Sequence, residues 1–83
     1  MITASPVGLY AADMAERQRL GIQGTRDKFR ERVDKAVERD VHTVVRRHGR
    51  TVAVVVSPDW YDRAASALGE PSLAEDPGID LEA

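Results

Sequence analysis

Two runs rich in valine and threonine, Val41–Val45 and Thr51–Val56, stand on either side of a short polar segment, Arg46-Arg47-His48-Gly49-Arg50. Strand propensity on both sides of a glycine able to take positive φ predicts a β-hairpin, with strands over about 41–47 and 51–56. No polar residue interrupts Val52–Val56, so this second strand is expected to be covered on both faces, as a central strand is. Ser57 and Pro58 then read as the cap and first residue of a helix that runs to about Leu68. Tyr61, Ala64, Ala65 and Leu68 are expected to face inward, and Val56 with Tyr61 has the spacing of a hydrophobic staple. Gly69, followed by Pro71, ends the helix.

Upstream, Leu20-Gly21-Ile22-Gln23 alternates as a short strand would, and Gly24-Thr25 offers a cap for a helix over about Arg26–Arg39. Phe29, Val33, Ala36 and Val37 fall on one face of that helix. Asp27, Glu31, Asp34 and Glu38 gather opposite them. Lys28, Arg32, Lys35 and Arg39 form a ridge along one flank, and Arg26 and Arg30 lie on the other. Setting Lys28 against Arg32, and Lys35 against Arg39, at i, i+4 costs helix stability. That arrangement suits an anionic partner. Residues 1–17 carry little pattern beyond a thin apolar face that admits a short helix from about Leu9 to Arg19, and Met14 offers an alternative start. Residues 70–83 are acidic, contain Pro71 and Pro77, and space Leu73, Ile79 and Leu81 singly. Such a segment cannot bury enough to fold alone and is expected to be flexible. The chain therefore divides into an extension (1–17), an α+β domain with a three-stranded sheet packed against helices (18–69), and an acidic tail (70–83).

Composition narrows the picture. The 83 residues suffice for one small domain whose core needs a supplement. Without cysteine there is no disulfide or thiolate metal site, and the two histidines are not spaced as a ligand pair. No cofactor is expected, and a homodimer is the expected supplement. With no membrane-length apolar run and no secretory pattern at the N-terminus, the expected location is the cytoplasm. Net charge is −2 overall, yet residues 17–50 sum to +6 and residues 51–83 to −6. A basic half fits a polyanion, and an acidic arm with spaced apolar anchors fits coupled folding onto a basic protein. Catalytic chemistry finds no support. Neither His42 nor His48 has a sequence-linked nucleophile, Ser57 reads as a cap, and Asp59 and Asp62 read as helix-dipole and surface charges.

Taken in order, these features resemble a known family. A short strand (Leu20–Gln23) leads to a helix opening Thr25-Arg26-Asp27-Lys28-Phe29, then a second helical stretch and a strand. An Arg-Arg-His-Gly-Arg turn, a Val-Ala-Val-Val-Val-Ser strand and Pro-Asp-Trp-Tyr complete the set. Over roughly Leu20–Leu68 this is similar to the Phd/YefM family of type II antitoxins. The resemblance implies a dimeric domain that binds operator DNA and represses its own operon, with a C-terminal segment that folds onto a cognate protein toxin. By position it implies a DNA contact for Arg26, a polar position for Lys28 and a buried one for Phe29. It also matches Gly49 to the hairpin glycine and Tyr61 to the aromatic of the last helix. Residues 1–17 are an extension that most members lack. The candidate DNA-binding residues are thus Arg26, Lys28, Arg30 and Arg32, with Arg46, Arg47 and Arg50 of the hairpin. The candidate toxin-binding residues are Leu68, Leu73, Ile79, Leu81, Glu75 and Asp76. A stand-alone DNA-binding regulator of the same fold, or a structural adaptor dimer, would show much of the same pattern.

Overall fold

The structure, a computed structural model, describes residues 15–82. The expected extension and the alternative start at Met14 lie almost wholly outside the described residues, as does most of the Leu9–Arg19 helix. What is described of that helix is extended: β1 spans Glu16–Gly21. It is followed by α1 (Ile22–Asp27), α2 (Phe29–Arg39), β2 (Val41–Arg47), β3 (Arg50–Val55) and α3 (Pro58–Leu68). The sheet is mixed, in the order β1-β2-β3, with β1 parallel to β2 and β2 antiparallel to β3.

β1 starts and ends earlier than the alternation of Leu20–Gln23 predicts. Its strand state comes from the ladder with β2, which pairs Glu16 with Val41 and Gly21 with Arg46. Ile22 and Gln23 already belong to α1. Gly24-Thr25 is no cap, since the Thr25 hydroxyl donates to the Gly21 carbonyl one turn back at 2.9 Å. The single expected helix is broken at Lys28 (φ −117°, ψ 22°), which separates α1 from α2.

The hairpin forms where the two runs predict. Its two-residue loop, His48-Gly49, takes positive φ at both positions (52° and 77°), the twist that antiparallel strands favour. A bulge then leaves Val52 as the extra residue, because Val45 faces Ala53 while Arg46 faces Thr51. α3 matches its expected bounds. The Ser57 side chain accepts from the Trp60 N–H at 3.1 Å, and Gly69 closes the helix at φ 77° with Glu70 N–H donating to Ala65 O at 2.8 Å.

α1 and α2 cover one sheet face, the side of Val41, Thr43 and Val45. α2 is turned differently from its apolar stripe. Arg32 and Ala36 are its buried residues, whereas Phe29 and Val37 are 54% and 60% exposed, so the expected burial of Phe29 does not hold. Arg32 Nη1 donates to Gln18 Oε1 at 2.9 Å, and Gln18 sits beside Thr43 in the ladder. A long polar side chain thus fastens helix to sheet where apolar packing would be usual.

The opposite face carries His42, Val44 and Val54. Trp60 of α3 leans on it, edge-on to His42 with ring centroids 4.8 Å apart. Tyr61 and Leu68, expected to point inward, are 46% and 78% exposed, because α3 makes no extensive contact with another element among the described residues. β3 is an edge strand, and Val52 and Val54 stand half-exposed instead of being covered on both faces. The buried apolar side chains among the described residues are Ala36, Val41, Val45 and Ala65. That core is small.

Candidate nucleic-acid interface and acidic arm

Parallel pairing decides where the basic residues gather. β1 and β2 run the same way, so both end beside the hairpin turn, Gly21 level with Arg46. α1 begins at that end and carries Arg26 in its last turn. Lys28 lies at the helix break, and α2 starts its return run there with Arg30 in its first turn. The chain therefore brings Arg26, Lys28 and Arg30 to the sheet end that also holds the hairpin. All three are exposed, as are Arg47 and Arg50, which face each other across the hairpin. Guanidinium and ammonium groups clustered on one end, on short rigid elements, can contact successive phosphates and reach a base edge.

Two of the expected contacts are engaged elsewhere. Arg32 is 6% exposed and tied to Gln18, so it does not share this surface. Its position one turn before Ala36 on the buried side of α2 accounts for this. Arg46 is half-buried, with Nη2 donating to the Gly49 carbonyl inside its own turn. It braces the hairpin that presents Arg47 and Arg50.

The acidic arm lies at the far end of α3. Ile79 and Leu81 are 89% and 92% exposed, with Glu75 and Asp76 exposed beside them. Residues 70–76 form a hydrogen-bonded return behind α3. Asp62 Oδ1 accepts from the Leu73 N–H at 2.9 Å. Ser72 and Glu75 exchange bonds, with Ser72 N–H donating to Glu75 Oε1 at 2.9 Å and Glu75 N–H donating to Ser72 Oγ at 3.2 Å. This is a capping box, and Asp76 N–H to Ser72 O at 2.9 Å closes one helical turn behind it. Sequence reasoning missed Asp62, Ser72 and Glu75 in this role, although the Ser-x-x-Glu spacing is itself the signal of such a box.

Among the described residues no group of three or more His, Cys, Asp or Glu side chains could hold a metal ion, and no helix is long and apolar enough to cross a membrane. Comparison of the chain with family models, with curated proteins and with solved structures gives no match in any of the three.

Proposed function

We propose that this chain is the antitoxin of a type II toxin–antitoxin pair, a homodimer that binds operator DNA through its basic end and a protein toxin through its acidic arm. The observation that carries the reading is the separation of the two charges in space. Arg26, Lys28, Arg30, Arg47 and Arg50 collect at one end of the sheet, while Glu70, Glu75, Asp76, Asp80 and Glu82 lie beyond α3. The element order β-α-α-β-β-α is the order that the Phd/YefM resemblance implies, and it supports the same reading.

The edges of the sheet support the dimer. β1 carries Glu16, Arg17 and Arg19, which discourage pairing with another strand, whereas β3 has no charge after Arg50, over Thr51–Val55. An uncharged, half-exposed edge beside so small a core calls for a second copy. Pairing β3 with its symmetry mate sets two basic ends on one dimer, as a two-fold DNA site requires.

The test uses DNA from upstream of the chain's own reading frame. Arg26→Ala with Arg30→Ala should weaken binding by at least tenfold at moderate salt, and Arg26→Ala alone should relax sequence preference, at ~1–3 kcal/mol for a base-edge contact. A chain ending at Gly69 should keep its DNA affinity and lose capture of the protein encoded beside it. DNA affinity unchanged in the double variant would overturn the DNA assignment. Undiminished capture by the truncated chain would overturn the arm's role.

A further inference from the structure

We infer that residues 70–76 are not a slack tether but a preformed docking turn, held by Asp62, Ser72 and Glu75, that presents Leu73 to a basic protein. This deepens the proposed function and rests on its reading of the arm as a protein-binding segment.

Three sets of bonds define the turn. The helix end first reverses the chain, with Gly69 N–H to Ser66 O and Glu70 N–H to Ala65 O. Asp62, in the second turn of α3, then takes the Leu73 N–H and brings the returning chain back along the helix. The reciprocal Ser72–Glu75 pair satisfies two backbone donors that an isolated turn would leave to water. Pro77 cannot continue the helix, and the residue before it is driven toward extended geometry, so the ordered unit stops at Asp76. Beyond it only local side-chain caps remain, Asp76 to the Gly78 N–H and Asp80 to the Glu82 N–H.

The apolar groups are on the outside of this unit. Leu68 is 78% and Leu73 37% exposed, and Tyr61 stands 46% exposed on the same helix. Their surroundings select the occupant. From Ser57 to Glu82 there are seven carboxylates and a single basic residue, Arg63, which is engaged with Asp59 at 3.8 Å. So negative a surface repels nucleic acid and anionic lipid, and it complements a protein cleft with an apolar floor and a basic rim. A segment ordered in advance loses less freedom on binding. Asp62, Ser72 and Glu75 are therefore positioning residues, since they act through Leu73.

The probe is the protein encoded beside this gene, titrated against the full chain by calorimetry, with amide hydrogen exchange on the free chain. The Leu73, Glu75 and Asp76 amides should be protected in the free chain, and Ser72→Ala or Asp62→Ala should remove that protection. Each substitution should weaken binding about fivefold, the usual worth of a cap or of one such bond. Ser72→Thr, which keeps the cap, should restore both, while Leu73→Ala should weaken binding and leave the Glu75 and Asp76 amides protected. Unprotected amides in the free chain, or full affinity in Ser72→Ala and Asp62→Ala, would overturn the preformed turn while the antitoxin reading stands. No binding by the unaltered chain would overturn that reading, and this inference with it.

Discussion

Val54→Lys tests the proposed dimer on the exposed edge of β3. Val54 and Val52 are 49% and 45% exposed on the edge strand. Full burial of a valine is worth about 1.5–2 kcal/mol, so covering the exposed half of Val54 yields about 0.8 kcal/mol per copy. A two-fold interface contains the residue twice, and lysine at both positions adds like-charge repulsion of about 1 kcal/mol across the strands. The sum is about 3 kcal/mol, or roughly a hundredfold in dimer dissociation constant. Sedimentation equilibrium across the micromolar range reads this directly. Far-UV circular dichroism checks that the monomer remains folded, as it should, because Val54 is not in the buried core. Val37→Lys is the comparison, since Val37 is 60% exposed on α2 and not on β3 itself. The reasoning fails if Val54→Lys leaves the dimer intact. It also fails if Val37→Lys alone dissociates it, because the interface would then run through α2.

Other substitutions probe the fold and its turns. Arg32→Ala should cost about 2 kcal/mol in urea unfolding, because it removes a charged bond to Gln18 and leaves a gap between α2 and β1. Its effect on DNA binding at saturating folded protein should be small, unlike that of Arg26→Ala. His48→Asn should stabilise the chain by about 0.5 kcal/mol, since His48 sits at φ 52° in a turn that prefers Asn-Gly. Gly49→Ala should cost at least about 1 kcal/mol at φ 77°, although the site is sterically open, so the penalty is of the backbone alone. Ser57→Ala should cost about 1 kcal/mol by removing the cap on the Trp60 N–H, read from the same unfolding curves.

What the sequence made legible was local. Both hairpin strands, the His48-Gly49 turn and α3 with its Ser57 and Gly69 ends depend on neighbours within a few residues, and each formed close to where its pattern predicts. β1 was misplaced because Glu16–Arg19 carries no strand alternation of its own. It is extended only because β2 supplies a parallel partner from across two helices. Arg32 was misread for a related reason. The helical period put it on a flank, but which flank meets the sheet is set by packing, and that rotated Phe29 and Val37 outward. Val52–Val56 predicted cover on both faces, but β3 lies at the edge of the sheet and leaves Val52 and Val54 half-exposed. For the candidate site, the exposure of Arg26, Lys28 and Arg30 was readable. That Arg46 would spend its guanidinium on the Gly49 carbonyl was not.

The parallel ladder between β1 and β2 also sets an order of assembly. The hairpin closes over a two-residue loop and needs nothing else, so its loop entropy is small. β1 can join only after α1 and α2 have carried the chain back from Gly21 to Val41, which makes it the slow, nonlocal step. Among the described residues the same strand is an edge, attached on one side, and should be the first to detach when the folded protein fluctuates. Gln18 would leave with it, freeing the Arg32 guanidinium from its anchor. Detachment of one strand would thus loosen the seat of α2, and with it the basic end of the molecule. Strength of attachment at β1, remote in sequence from the acidic arm, would govern how long the chain survives a cellular protease.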